Sequence, residues 1–220
     1  NIDTDATLRI MTKTQIPIWC NISIHSIQKN RVPIRLIGRI YDVDSEMKEK
    51  MQLMETAEKD KLTGLYRKET FYTMVEKSLN TEKNITGALL FLDLDNFKSI
   101  NDIFGHMRGD EIIIETAEKL QIIFSNIDIL SRFGGDEFCI FVKNIPLETL
   151  LSKLNWTLEK LRHTYREGEN EVLVTTSIGV ALIPEHGKLV ADLLAKADKA
   201  LYDSKQSGKN RYTFYTQEEK

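Results

Sequence analysis

The stretch Arg132-Phe133-Gly134-Gly135-Asp136-Glu137-Phe138 lies between two apolar runs, residues 129–133 and 138–142, and its reading decides the fold. Two successive glycines supply backbone angles closed to other residues, so the runs read as strands facing each other across a tight turn. Working outward, Leu89-Leu90-Phe91-Leu92 precedes Asp93-Leu94-Asp95. A buried strand at 88–92 therefore delivers the Asp93 carboxylate to a sheet edge. Asp95 shares that face if the strand continues, and Leu94 offers a backbone oxygen between the two. Magnesium takes hard oxygen ligands and accepts substrate phosphates into its shell. A strand-end Asp93 and a hairpin-turn Asp136 thus suit one or two ions over a triphosphate. Either acidic site alone is compatible with helix capping or a solvated turn; the pair points to a nucleotide enzyme.

Composition bounds the rest. The chain has 220 residues, 41% of them apolar, which suits one sizeable domain plus an appendage. A net charge of −3 gives no reason to expect a polyanion-binding surface, so no nucleic-acid partner is expected. Cys20 and Cys139 stand far apart in apolar, strand-like contexts and read as buried free thiols rather than a disulfide. No run approaches the roughly 18 apolar residues that cross a bilayer, and no basic leader with an apolar core opens the chain. The segment is expected to be soluble and cytoplasmic. Its polar start without Met reads as that of a fragment with room for a sensor or a membrane segment upstream, the latter attaching the full-length protein to a membrane.

Residues 7–11, 16–26 and 35–41 are rich in Ile, Val and aromatics. Ile18, Cys20, Ile22 and Ile24 alternate with Trp19, Asn21, Ser23 and His25, the period of a strand with one apolar face. Gln28-Lys29-Asn30-Arg31 would turn the second strand into the third. From Asp44 to Asp60 the period becomes helical, with Met47, Met51 and Met54 forming a narrow seam among Glu and Lys. That spacing fits a short two-stranded coiled coil and equally an amphipathic linker packed on its own domain. Asp60 is placed to cap a new element, and Leu62-Thr63-Gly64-Leu65 reads as a turn. Beyond it, helices are expected at 68–79, 110–124, 147–165 and 189–207, with further strands at 172–182 and 212–215. Hairpins mixed with crossover helices favour an α/β sandwich with a central mixed, partly antiparallel sheet over a doubly wound fold. No Gly-rich loop ending in Lys-Ser or Lys-Thr occurs, which argues against a P-loop enzyme.

Residues 60–215 resemble a GGDEF diguanylate cyclase domain. The ordered blocks that carry the likeness are Asp60-Lys61-Leu62-Thr63-Gly64-Leu65, Asp93-Leu94-Asp95-Asn96-Phe97-Lys98, Ile100-Asn101-Asp102, Phe104-Gly105-His106, Gly109-Asp110 and Arg132 through Phe138. They continue through Thr176-Ser177-Ile178-Gly179-Val180-Ala181, Ala197-Asp198-Lys199-Ala200-Leu201-Tyr202 and Lys205-Gln206-Ser207-Gly208-Lys209-Asn210-Arg211. The preceding strands resemble the last three of a PAS sensor domain, with Tyr41-Asp42-Val43-Asp44 at the usual exit. The expected organisation is a partial PAS-like β segment at 1–43, a signalling or linker helix at 44–59 and the GGDEF domain at 60–220.

The resemblance implies condensation of two GTP into cyclic di-GMP with release of two pyrophosphates, a ribose 3′-oxygen attacking an α-phosphate across a homodimer. It implies Mg2+ or Mn2+ held by Asp93, the Leu94 carbonyl and Asp136. It places Asn101 and Asp110 on the guanine edge, His106 nearby, and backbone N–H groups near Asn96 and Phe97 on phosphate. Lys98, Lys205 and Lys209 would neutralise triphosphate charge, with Lys98 joining Asp136 and Glu137 among the catalytic groups. Glu137 and Asp136 are both candidates for proton acceptor; Glu137 or a metal-bound hydroxide is preferred because a metal-bound carboxylate is a poor base. Lys209 replaces an Arg often found there, keeping the charge and losing the bidentate fork.

Two departures stand out. Tyr66-Arg67-Lys68 replaces the Asn-Arg that often follows Leu-Thr-Gly-Leu, and a local change in capping is expected. Ser125-Asn126-Ile127-Asp128 occupies the offset of the family's inhibitory Arg-x-x-Asp site, so product inhibition there is expected to be absent. The alternative to catalysis is a silent GTP- or cyclic-di-GMP-binding regulatory module.

Overall fold

The computed structural model describes residues 3–29, 32–82 and 84–217. The chain divides into two compact units, Asn1–Ala57 and Glu58–Lys220.

In the first unit, β1 (Asp3–Met11), β2 (Pro17–Lys29) and β3 (Val32–Asp42) form an antiparallel sheet in that order. Leu8 faces Cys20 and Ile22 faces Ile40, so the predicted alternation becomes one apolar face. Asn30 and Arg31, half of the predicted turn, lie outside the described residues. The strands are followed by α1 (Asp44–Glu58), tied back where the Trp19 N–H donates to Asp44 Oδ1 at 3.2 Å. Along the methionine seam Met47 is half-buried and Met51 exposed, while the Met54 side chain is outside the described set.

The second unit is a sheet with helices on both faces. Its strands are β4 (Tyr66–Arg67), β5 (Gly87–Asp95), β6 (Ile129–Gly134), β7 (Glu137–Lys143), β8 (His163–Glu167), β9 (Asn170–Ile183) and β10 (Tyr212–Phe214). Their order is β10-β9-β5-β7-β6-β4, with β8 paired to β9. The β5–β7, β5–β9, β6–β7 and β8–β9 pairs are antiparallel; β4–β6 and β9–β10 are parallel. The helices are α2 (Lys68–Thr81), α3 (Phe97–Phe104), α4 (His106–Ile123), α5 (Leu147–Leu161) and α6 (Val190–Gln206). The fold is mixed α/β with a mostly antiparallel central sheet.

The unbroken apolar run of β5 follows from its central place. Ala88, Leu90, Leu92 and Leu94 pack with residues of α4 and α5, while Leu89 and Phe91 pack with residues of α2 and α6. A strand covered on both faces has no polar side to alternate with. On one side Ile112, Ile113, Thr116, Ala117, Leu120 and Ile123 form the buried stripe of α4. On the other, α6 lies so close to β9 that a Cβ on Gly179 would fall 1.9 Å from the Ala197 carbonyl oxygen.

Several expected boundaries change. The helix predicted at 147–165 ends at Leu161, and Tyr165 belongs to β8, where Arg166 and Glu171 pair across a hairpin turning at Gly168. Leucine spacing carries the helical pattern toward Tyr165, but strand pairing with β9 supplies the contacts beyond Arg162. The helix predicted at 110–124 begins at His106, and a separate short helix α3 precedes it, the two divided at Gly105 (φ 83°). Both cysteines are free and buried. Asp60 caps the turn that follows it rather than α2, whose N-cap is Arg67. Among the described residues no helix is long and apolar enough to cross a membrane.

Candidate active site

The sheet register assembles the acidic groups. β5 continues to Asp95, so Asp93 and Asp95 share a face, and in the antiparallel β5–β7 pair Asp93 stands opposite Glu137. The Leu94 N–H donates to the Asp136 carbonyl at 3.3 Å, which fastens the hairpin turn to the end of β5. Arg132 braces the same turn from outside: its Nε donates to the Gly135 carbonyl at 3.0 Å and its Nη1 to Asp60 Oδ1 at 3.1 Å. Asp60 Oδ1 also accepts from the Thr63 N–H and hydroxyl. Burial pushes the Asp60 carboxyl up, but the bonds from Thr63 and Arg132 outweigh it and leave Asp60 below its ordinary value.

Asp93, Leu94, Asn96, Phe97, Lys98, Asp136, Lys205 and Lys209 line one open cleft of about 380 Å³. Lys205 Nζ lies 2.7 Å from Asp93 Oδ2. Lys209 Nζ donates to Asn96 Oδ1 at 3.0 Å, and Asn96 Nδ2 donates to the Leu173 carbonyl. Asn96 takes left-handed angles (φ 64°) and opens α3, and the start of that helix, residues 96–99, lines the cleft. Burial pushes the Asp93 carboxyl up to about 6, and Asp136 and Glu137 add to it against the pull of Lys205. Burial and Asp136 likewise raise Glu137.

Carboxylates that repel one another beside one lysine make a donor set that a divalent cation would relieve. Asp93 and Asp136, with a backbone carbonyl, leave most of a hard cation's shell to phosphate oxygens. Among the described residues no three acidic, His or Cys side chains form a ready-made metal cage. The residues fit the ion.

Asn101, His106 and Asp110 do not line this cleft; they stand on α3 and α4, the helices that lead away from it. Asn101 lies against the buried Gly109, where a Cβ would meet its Oδ1 at 2.0 Å. His106 and Asp110 are exposed beside it. At the expected product-inhibition position, the Ser125 N–H and hydroxyl both donate to Asp128 Oδ2 at 2.9 and 2.8 Å, and the Lys143 N–H reaches Oδ1 at 3.4 Å. Both Ser125 donors thus fall on one Asp128 oxygen, and the two residues line an open cleft with Lys59, Tyr66 and Gln121.

Sequence reasoning missed the surroundings of Asp95. This carboxylate is 2% exposed and accepts from Thr175 Oγ1, Ser177 Oγ and the Asn210 N–H at 2.6, 2.8 and 3.1 Å. In the sequence, Thr175-Thr176-Ser177 marks a polar break between the apolar runs 172–174 and 178–183.

Comparison with known proteins agrees with this arrangement. The family model described as "Diguanylate cyclase, GGDEF domain" matches residues 57–211. The cyclic di-GMP phosphodiesterase PdeR of Escherichia coli K12 is 31% identical, the match covering 91% of this chain and 30% of that protein. The diguanylate cyclase DgcM of the same organism is 32% identical over 86% of this chain and 47% of its own length. The chain therefore spans less than half of these curated relatives. The solved coiled coil and GGDEF domain of DgcB from Caulobacter crescentus, in complex with c-di-GMP, superposes with a TM-score of 0.68 at 26% identity. It covers 78% of this chain and 93% of that one. A family match over residues 57–211, which takes in the acidic hairpin and every strand of the helix-flanked sheet except β10, places this chain in the diguanylate cyclase GGDEF domain family.

Proposed function

We propose that this chain is a diguanylate cyclase that condenses two GTP into cyclic di-GMP and releases two pyrophosphates. The observation that carries the reading is the cleft itself, where Asp93 and Asp136 face Lys98, Lys205 and Lys209. Asp93, the Leu94 carbonyl and Asp136 would hold Mg2+ or Mn2+, which when bound offsets phosphate charge and draws electron density from phosphorus. The lysines and the first N–H groups of α3 hold the triphosphate, and Asn101 and Asp110 read guanine. Asp110 accepts from the donor groups of guanine's Watson–Crick edge, which adenine does not offer in that pattern.

In each transfer a ribose 3′-oxygen bonds to the α-phosphorus of the other GTP. The bond from that phosphorus to the α–β bridging oxygen breaks, pyrophosphate leaves with the electron pair, and the 3′-hydroxyl proton passes to a carboxylate. Glu137 suits that role, because burial and Asp136 raise its proton affinity and it stays outside the expected ligand set. One cleft holds one GTP, so two copies meet face to face, and the chemistry is mainly positioning. Residues 1–43 are read as the end of a PAS-like sensor and 44–59 as the helix that controls how the copies meet.

The test is incubation with GTP and Mg2+ and identification of the product. Asp93→Asn and Asp136→Asn are each expected to remove most synthesis, by a factor of about 100 or more, while circular dichroism stays that of the parent. GTP binding without turnover by the parent would favour the silent regulatory module. Wild-type turnover by either variant at limiting Mg2+ would refute that residue's role.

A further inference from the structure

We infer that Asp95 is a positioning residue: a buried carboxylate latch that sets where the phosphate-facing lysine Lys209 stands. The inference rests on the cyclase reading and adds to it a residue outside the expected metal and nucleotide contacts.

The latch joins three distant parts of the chain. Asp95 ends β5, Thr175 and Ser177 lie on β9, and Asn210 lies in the turn between α6 and β10. Asp95 pairs with Thr175 in the β5–β9 register, so their side chains emerge on one face. Ser177, two residues on, presents its hydroxyl to the other carboxylate oxygen. Two hydroxyls and one backbone N–H thus converge on a side chain that solvent barely reaches. A buried carboxylate with such a cage is costly to displace, which makes it a firm anchor.

The anchored object is strained. Lys209 and Asn210 both hold positive φ, 64° and 48°, which residues with side chains adopt infrequently. The Lys209 N–H is fixed on the Ser204 carbonyl at 3.0 Å, and the next N–H, that of Asn210, is fixed on Asp95. With its backbone held on both sides, Lys209 reaches across the cleft to Asn96. Lys205, one turn earlier on α6, meets Asp93. Asp95 borders the cleft while only 2% exposed, and its three donors all belong to this chain, so its effect on nucleotide passes through the turn. Replacement by Asn keeps the shape and swaps one acceptor oxygen for an NH2 that must face a donor.

The experiment is a double-mutant cycle on kcat/KM for GTP with the whole chain. Asp95→Asn and Lys209→Ala are each expected to lower it about tenfold, mainly through KM, and the double variant about tenfold rather than a hundredfold. The loss from Lys209→Ala vanishes once its turn is no longer placed. A hundredfold loss in the double variant, or parental kcat/KM in a folded Asp95→Asn protein, would overturn the latch. Should Asp95→Asn fail to fold, Thr175→Val removes one hydroxyl from the same oxygen at equal volume and carries the same cycle on a smaller scale.

Amide exchange at Asn210 reads the latch without nucleotide: in Asp95→Asn it is expected to speed up about tenfold or more. Unchanged exchange would also overturn the inference. If the parent chain made no product, the cyclase reading would fall and take the role in GTP use with it, while the exchange result would still decide whether Asp95 holds the turn.

Discussion

Asp93 shows how single residues of this site set function against stability. Its folded pKa lies near 6, above the ordinary 3.8, because burial and neighbouring carboxylates disfavour its charge. A carboxyl with a raised folded pKa binds its proton more tightly folded than unfolded. Its contribution is therefore fully present below about 3.8 and is lost as pH rises through about 6. At neutral pH and without metal, the ionised Asp93 weakens the fold, although Lys205 recovers part of the cost. Asp93→Asn should consequently melt above the parent in metal-free buffer at pH 7.5, with the gap closing toward pH 4. A lower melting temperature at pH 7.5 would mean that the Lys205 pair outweighs the repulsion.

A second residue-scale prediction concerns Ser125 and Asp128. An Arg grips guanine or phosphate through paired charge-assisted bonds that a hydroxyl cannot make, a difference worth roughly a hundredfold in affinity. Here the hydroxyl is turned inward onto Asp128, whose second oxygen meets Lys143 N–H. Micromolar cyclic di-GMP should leave the initial velocity nearly unchanged through this surface. Strong noncompetitive inhibition relieved by Asp128→Ala would show that another cation stands in for the missing Arg.

At the scale of elements, the α3–α4 hairpin links packing to base choice. A Cβ on Gly109 would sit 2.0 Å from Asn101 Oδ1 and 3.2 Å from Phe97 Cζ, both at the ends of movable side chains. The helix gains about 1 kcal/mol when an interior Gly becomes Ala, so the fold should survive Gly109→Ala. Asn101 must swing away, and loss of the hydrogen bond proposed between it and guanine should cost about tenfold in GTP affinity. Competition between GTP and ATP measures it; an unchanged preference in a folded variant would take Asn101 out of the guanine pocket. This hairpin also shows what was legible beforehand. The central strand β5 was plain from its apolar run, and the β6–β7 hairpin from its two glycines. The division of α3 from α4 at Gly105 and the strand β8 were not, because tertiary pairing decides them. Asp93 and Asp136 could be named from local motifs, whereas the cage of Asp95 joins residues as distant as Asn210 by contacts that no local pattern encodes.

For the whole molecule, the chemistry sets the number of copies. Cyclic di-GMP contains two phosphodiester bonds between two nucleotides, each 3′-oxygen having attacked the other's phosphorus. Among its described residues the second unit brings Asp93, Asp136 and three lysines to one open cleft of about 380 Å³, read as the place of one GTP. In the proposed reaction two such clefts face each other, and each copy supplies one activated phosphate per product. A variant that folds but cannot activate its phosphate should therefore poison a partner that can. A tenfold excess of Asp136→Asn protein is expected to suppress most of the parent's turnover, since nearly every parent molecule then pairs with the variant. Asp136 lies in the turn beside β7, and its replacement leaves the core strands of β5, β7 and β9 untouched. The parent alone should show initial velocity rising with the square of protein concentration at dilutions where pairing is incomplete. Turnover that stays proportional to the parent's concentration, indifferent to the excess variant, would mean that one copy completes both bonds by itself.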